Sequence, residues 1–146
     1  MKNLSQSAGA LKSHCAFVFD VLIAKLSSVP EPVWPDSIPD QRCPLFVTYY
    51  KGESKELRGC IGTFAQEPVK VLLPQYALVA AFEDSRFSPI TAKEVASLTV
   101  EVSLLTNFED ASDIWDWIFN EHGIQIEFKA QGRNYRSTFL PHVAEH

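Results

Sequence analysis

The sequence predicts an α+β fold with a mainly antiparallel sheet of about five strands flanked by helices. Three observations predict it: a long helical stripe near the start, two hairpin patterns, and short helical segments between them. The resulting order is helix, hairpin, helix, strand, helix, hairpin, which is typical of the α+β class. A chain of 146 residues suits one domain, so we expect a single domain over residues 1–146.

The first element is a helix. Apolar residues recur at three- and four-residue spacing from Leu4 to Leu26, which predicts a helix over residues 5–27. Prolines are frequent in the following segment, residues 29–44, and predict an irregular loop that wraps the domain.

The first hairpin follows this loop. "LFVTYY" (45–50) is rich in β-branched and aromatic residues, "KGESKE" is a polar turn, and "LRGCIGTF" (57–64) is the returning strand. Residues 98–106 alternate apolar and polar side chains and predict a further strand. "IQIEF" (124–128) and "YRSTFL" (135–140) predict the second hairpin, with its turn at "KAQGRN".

Three further helices are predicted between these strands. The first covers residues 68–83, begins at Pro68 and is expected to be kinked or split by Pro74. Thr91 and Glu94 have the spacing of a capping box and predict a short helix over residues 92–97. The third covers residues 112–121 and ends at Gly123.

Composition excludes several classes of function. The net charge is −5 and no basic run occurs, which argues against a nucleic-acid partner. The segment 15–26 is apolar but contains Asp20 and is shorter than the ~20 residues that a membrane span needs, so no membrane partner is predicted. The three cysteines are odd in number and show no CxxC spacing, which argues against a disulfide scaffold or a four-cysteine zinc site. Reduced thiols in the cytosol or nucleus fit best, and we predict no cofactor and no metal.

The segment "LRGCIG" (57–62) is unusual because strands normally avoid glycine. Regular alternation places Arg58, Cys60 and Gly62 on one face and Leu57, Gly59 and Ile61 on the other. We expect Leu57 and Ile61 in the core, Gly59 to let a helix pack closely, and Gly62 to leave bare backbone for a ligand beside Arg58 and Cys60.

The same hexapeptide resembles the hallmark motif of the AMMECR domain family. Further segments resemble that family in the same order along the chain: "CAFVFDVL", "PLFVTYY", "DSRFSPIT", "VSLLTNFED", "HGIQIEF" and "TFLPHVAE". Family members usually continue beyond the last of these, so the resemblance implies that the chain lacks the family's C-terminal portion.

The resemblance implies an α+β domain with a cleft near the hexapeptide, and it implies no established reaction. Prokaryotic relatives are often encoded beside radical-SAM and Memo-like proteins, which implies redox or modification chemistry. Eukaryotic relatives imply a location in the nucleus and cytosol.

The leading functional hypothesis is a binding or scaffold module for a small anionic ligand or a partner protein's peptide; no oligomeric state is predicted. Arginine in a glycine-lined cleft suits recognition of carboxylate or phosphate, and the loop "EDSRFSP" is expected to shape that cleft. The predicted binding residues are Arg58, Gly59, Cys60, Gly62, Asp84, Arg86 and Phe87.

Two alternatives stay open at this point. Arg58 is either a ligand-binding cation or a strand residue paired with an acid such as Glu56. Cys60 is either a buried structural residue or a candidate catalytic nucleophile or redox thiol, activated by Arg58 and by a histidine base that the sequence does not place.

The terminal "HVAEH" (142–146) matches the His-x-x-Glu-His pattern of some zinc proteases. The match lacks a third ligand and the family resemblance offers no such pair here, so we interpret the segment as a polar tail.

Overall fold

The computed structural model describes residues 2–5, 10–141 and 143. In chain order the elements are β1 (Lys2–Ser5), α1 (Lys12–Leu26), β2 (Leu45–Lys51), β3 (Glu56–Thr63), α2 (Val69–Phe82), a short 3-10 helix (Ala92–Ser97), β4 (Leu98–Leu104), β5 (Phe108–Asp110), β6 (His122–Ala130) and β7 (Arg133–Phe139).

The α+β fold class is confirmed, with a difference in the sheets. The strands form two antiparallel sheets, one in the order β3-β2-β4 and the other in the order β5-β1-β6-β7. Contacts divide the chain into two compact units, Gly9–Leu104 and Met1–Ala8 with Leu105–His146. Single-domain organisation of the chain stays a prediction.

The unit Gly9–Leu104 holds the three-stranded sheet and both α-helices. One face of the sheet carries Leu45, Val47 and Tyr49, which are buried with Leu22 of α1 and Leu73 of α2. Tyr49 donates its hydroxyl to the carbonyl oxygen of Ala77 in α2 at 2.9 Å, which satisfies a polar group inside this core. The core therefore fixes which face of β3 meets the helices.

The predicted first helix begins too early. Residues 2–5 form strand β1, and α1 starts at Lys12, where the His14 ring nitrogen Nδ1 accepts a hydrogen bond from the Leu11 backbone N–H at 3.0 Å. The intervening residues 6–9 lie outside the described part. Leu4 belongs to the apolar stripe by its spacing, but its backbone pairs with β5 and β6 in the second sheet.

Two predictions concern local helix signals in residues 68–97: the split at Pro74 is wrong and a kink there stays a prediction, whereas the capping box is confirmed. Helix α2 runs through Pro74 without being split. The capping box at Thr91 is confirmed: the Glu94 carboxylate accepts from the Thr91 backbone N–H at 3.0 Å, and the turn is a 3-10 helix.

The helix predicted over residues 112–121 is wrong, because the segment forms turns. The Asp113 side chain accepts from the Trp115 N–H at 2.7 Å, and the Asp116 side chain accepts from the Ser112 N–H at 2.8 Å. Short acidic side chains that bond to nearby backbone in this way compete with helical hydrogen bonds.

The other unit contains the second predicted hairpin, which is confirmed as β6 and β7. Its turn places Gln131 and Gly132 at positive φ, as a two-residue hairpin loop requires. Phe128 and Tyr135 lie opposite each other and stack with ring centroids 5.2 Å apart. Strands β1 and β5 of this sheet were not predicted.

Within the described ranges, neither length nor apolar character qualifies any helix to span a bilayer.

Gly59 is the point where β3 meets helix α2. A Cβ atom at this position would overlap the carbonyl oxygen of Ala80. The prediction that this glycine lets a helix pack closely is therefore confirmed.

We expect Gly59→Ala to lower the free energy of unfolding by at least about 2 kcal/mol, because the added methyl group meets backbone that cannot rotate away. Urea unfolding monitored by circular dichroism measures the change. Ser54→Ala, in the exposed turn of the same hairpin, is the control and should change stability by less than about 0.5 kcal/mol. Equal stabilities for the two variants would contradict the close packing.

Candidate binding site at the edge of the three-stranded sheet

A β-bulge sits in the hexapeptide. Tyr49 lies opposite Gly59 and Tyr50 lies opposite Leu57, so Arg58 is an extra residue on β3. A bulge redirects side chains and interrupts alternation. This is why the prediction that Leu57 lies in the core is wrong: Leu57 is 40% exposed, whereas Ile61, beyond the bulge, does pack against the core.

The Arg58 guanidinium is enclosed by acceptors from residues 88–94. It donates to both carboxylate oxygens of Glu94, at 3.1 and 3.3 Å, and to the carbonyl oxygens of Ser88 and Pro89, at 2.8 and 3.4 Å. Only 11% of its side chain is exposed. Arg58 therefore clamps the segment before β4 onto β3, and the expectation that it is an open ligand-binding cation is wrong.

Glu94 joins several of these contacts. It pairs with Arg58, accepts from Lys51 Nζ at 2.9 Å and caps the 3-10 helix at Thr91. Arg58 first, and then Lys51, hold the pKa of its carboxyl well below the ordinary value. The acid that pairs with Arg58 is thus Glu94 and not the neighbouring Glu56.

Asp84 and Arg86 bind the backbone of Cys60. The Cys60 N–H donates to Asp84 Oδ2 at 2.9 Å, and Arg86 Nη2 donates to the Cys60 carbonyl oxygen at 3.2 Å. Because β3 is an edge strand, these groups point away from β2 and would otherwise lack protein partners. The two side chains take the place that a neighbouring strand would occupy.

Asp84 and Arg86 also form a two-pronged ion pair. Arg86 Nε and Nη2 donate to the two Asp84 oxygens at 2.9 and 2.7 Å. The Arg86 guanidinium lowers the pKa of Asp84 to about 2, and Asp84 raises the pKa of Arg86. The Asp84 side chain is 4% exposed, whereas that of Arg86 is 55% exposed.

One donor group of Arg86 has no acceptor in the part of the chain that the structure describes. This group is Nη1, because the hydrogen bonds of the Arg86 side chain all use Nε and Nη2. The Phe87 ring lies beneath the guanidinium, with Cζ 5.4 Å from the ring centroid, which is cation–π geometry. Asp84 and Phe87 thus orient Arg86 from two sides.

The Cys60 side chain belongs to a polar row across the sheet. Thr48 lies opposite both Cys60 and Glu101, and its hydroxyl donates to Cys60 Sγ at 3.1 Å. Burial raises the pKa of the Cys60 thiol, and this exceeds the lowering by Thr48 and Arg86. The cation that acts on the thiol is Arg86, so the predicted activation by Arg58 is wrong.

Other acidic groups near this row are also held protonated. Burial, followed by Glu101 and Cys60, raises the pKa of Tyr50 to about 12. Burial raises the pKa of Cys15 and Cys43 as well. All three thiols are therefore neutral near pH 7.

Gly62 makes room for the protein itself. A Cβ there would overlap the Phe46 ring and the Leu45 carbonyl oxygen. The prediction that the missing side chain leaves space for a ligand on this face is wrong, because Phe46 fills that space.

The structure thus brings Cys60, Asp84, Arg86 and Phe87 together at the strand edge, with Gly62 two residues along. Gly59 faces the helix and Arg58 faces residues 88–94. The sequence patterns do not single out Thr48 or Glu101 and give Glu94 only a capping role. Only the strand register reveals that Thr48, Cys60 and Glu101 form one row.

Within the described residues no group of three or more His, Cys, Asp or Glu side chains is placed to hold a metal ion. Of the terminal "HVAEH" segment, only Val143 lies in the described part, so the prediction of a polar tail there falls outside it. Two surface cavities, of about 380 and 270 Å³, lie away from the hexapeptide.

The motifs at this edge agree with a family comparison. The model of the AMMECR1 family matches residues 15–146. The chain belongs to the AMMECR1 family. Its similarity to an uncharacterized protein of Schizosaccharomyces pombe is 40% identity over 136 residues, or 91% of this chain and 70% of that protein. An uncharacterized protein of Arabidopsis thaliana is 39% identical over 142 residues, or 94% of this chain and 65% of that protein.

A solved structure of similar fold supports the architecture. The crystal structure of an uncharacterized protein from Pyrococcus horikoshii superposes with a TM-score of 0.74 at 24% identity, covering 90% of this chain and 68% of that chain. This likeness shows the fold alone. The chain spans about two thirds of the length of these AMMECR1 relatives.

Arg58 and Lys51 bind the same carboxylate and give a matched test of the clamp. We expect Arg58→Ala to lower the free energy of unfolding by about 2–3 kcal/mol, because it removes four hydrogen bonds of a guanidinium whose side chain is only 11% exposed. Lys51→Ala, whose side chain is 45% exposed, should cost less than about 1 kcal/mol. Urea unfolding measures both, and losses of equal size would refute the clamp.

The Asp84 ion pair predicts a dependence of stability on pH. Since the folded pKa of Asp84 lies at about 2, below the ordinary 3.8, its stabilisation is complete above pH 3.8 and is lost as pH falls through about 2. We expect Asp84→Asn to be less stable than the wild type at pH 7, with a gap that narrows below pH 3.8.

Urea unfolding of wild type and Asp84→Asn from pH 7 to pH 2.5 measures this gap. A gap of constant size over the whole range would show that the charge of Asp84 contributes nothing to folding.

Proposed function

We propose that the protein is a binding module that receives an anionic group of a partner at Arg86. The observation that carries the proposal is a half-exposed guanidinium whose Nε and Nη2 are fixed by Asp84 and Cys60, while its Nη1 has no acceptor among the described residues. A guanidinium held in one orientation loses little entropy when it binds a carboxylate or phosphate.

The surroundings of Arg86 fit this role. Phe87 supports the guanidinium from below, and the half-exposed Cys60 and Gly62 continue along the strand edge. We call this set of residues the binding edge: Cys60, Gly62, Asp84, Arg86 and Phe87. Arg58 and Gly59 support it from behind, as a clamp and as a contact with α2.

The raised pKa of the Cys60 thiol argues against the alternative of an enzyme with a Cys60 nucleophile. The thiolate is the reactive form, and burial makes it scarcer than in an ordinary cysteine. The free state of Cys15, Cys43 and Cys60 supports a reducing compartment, the cytosol or nucleus, as part of the proposal.

The anion site is tested by titration with inorganic phosphate and with acetate, followed by nitrogen-15 NMR at constant ionic strength. We expect millimolar binding, with shifts at the Arg86 side chain and at the Cys60 and Phe87 amides, because a single charge-assisted contact on a half-exposed arginine is weak.

Arg86→Gln should abolish these shifts, whereas Arg133→Gln, at an exposed arginine of β7, should leave them unchanged. Thermal unfolding verifies that both variants are folded. Shifts of equal size in Arg86→Gln and wild type would overturn the proposed function.

The thiol is tested by alkylation with iodoacetamide at pH 7. Because its pKa is raised, Cys60 should react more slowly than the cysteine of a short unstructured peptide, and its rate should climb as pH rises above 9. Mass spectrometry of peptides identifies the labelled site, with Cys60→Ser as the control. Faster labelling of Cys60 than of the free peptide would restore the enzyme alternative.

A further inference from the structure

We propose that the anion received by Arg86 is the C-terminal carboxylate of an extended peptide, which adds as a short strand to the outer edge of β3 at Gly62. This inference rests on the proposed function and goes beyond it by naming the partner's chemistry and its mode of binding.

The first step concerns the direction of backbone groups. The Cys60 N–H and C=O both point away from β2, since they bond to Asp84 and Arg86. Groups on a strand repeat their direction every two residues, so the N–H and C=O of Gly62 point outward as well. No strand lies beyond β3 in the part of the chain that the structure describes.

The second step concerns access to Gly62. Its own face is filled by the Phe46 ring, but the residue is half-exposed and carries no side chain to shield its backbone. Edge strands with open backbone groups are the sites at which peptides add by β-augmentation. Gly62 therefore offers one donor and one acceptor to an incoming strand.

The third step sets where that strand must stop. Asp84 and Arg86 already occupy the backbone of Cys60, so pairing cannot continue past this residue. A peptide that runs antiparallel to β3 reaches this point with its C-terminus, and a parallel one reaches it with its N-terminus. Arg86 repels an ammonium group and attracts a carboxylate, which selects the antiparallel direction.

The resulting arrangement uses both outward backbone groups of Gly62 together with Arg86 Nη1. With the last residue of the peptide opposite Gly62, its N–H donates to the Gly62 carbonyl oxygen. One carboxylate oxygen accepts from the Gly62 N–H, and the other accepts from Arg86 Nη1. The last side chain lies on the face of Gly62 that the Phe46 ring covers, which favours an apolar terminal residue.

The probe is the acetylated pentapeptide Thr-Val-Thr-Val-Leu with a free C-terminus. It is compared with three relatives: its C-terminal amide, the same acid with an N-methyl group on the last leucine, and an amidated peptide that carries glutamate at the last position. Binding is measured by nitrogen-15 NMR titration of the intact protein. The backbone contact is tested by the N-methyl group on the peptide, so no protein variant is needed for it.

The expected result is tightest binding by the free acid. The amide should bind at least tenfold more weakly because it loses the charge, and the N-methyl acid about fivefold more weakly because it loses the bond to Gly62. In Arg86→Gln, the acid and the amide should bind equally. The Gly62 amide should shift with the free acid and not with acetate.

The alternative outcomes separate the two proposals. The strand-addition proposal fails and the anion site stands if acetate and phosphate act at Arg86 while N-methylation has no effect. The same holds if the amidated peptide with glutamate at its last position binds as tightly as the free acid. If no anion acts at Arg86, both fail.

Discussion

The ion pair between Asp84 and Arg86 binds the outward backbone groups of the edge strand β3 at Cys60. An edge strand must satisfy its outward N–H and C=O groups, and at Cys60 both are bound by these two side chains. Asp84 is almost enclosed and accepts the hydrogen bond of the Cys60 N–H, whereas Arg86 is half-exposed and places its positive charge at the surface. The hexapeptide and the "DSRFSP" loop are thus one structural unit, although more than twenty residues separate them.

Arg58 of the hexapeptide and Arg86 of the "DSRFSP" loop have opposite environments. Arg58 lies at a bulge, and its guanidinium donates to the Glu94 carboxylate and to two backbone carbonyl groups. Its contribution is therefore to stability. Three hydrogen bonds from Nε and Nη2 orient Arg86, and its Nη1 has no acceptor among the described residues. The distinction follows from geometry, since both are arginines within glycine- or proline-containing segments. It moves the candidate anion contact from the motif itself to the loop that docks on it.

The sequence predicted the elements that depend on local chemistry. Both hairpins, the Thr91 capping box and the tight contact at Gly59 are encoded by nearby residues or by the absence of a side chain. The bulge at Arg58 was not predictable, because one extra residue on β3 is defined only against its partner β2. The false helix at residues 112–121 has helical composition, but Asp113 and Asp116 bond to the local backbone instead. Likewise the Thr48–Cys60–Glu101 row exists only once the register is known, so its effect on the thiol was beyond sequence reasoning.

The ring of Phe46 over Gly62 ties the two positions together during evolution. Any side chain at position 62 has to displace the aromatic ring, and it still meets the carbonyl oxygen of Leu45. A substitution of Gly62 therefore needs a smaller residue in place of Phe46 and also a shift of the strand. Each of these changes alone lowers the stability of the fold. Selection for a stable fold alone should accordingly preserve this pair as a unit, whether or not anything ever docks beside it.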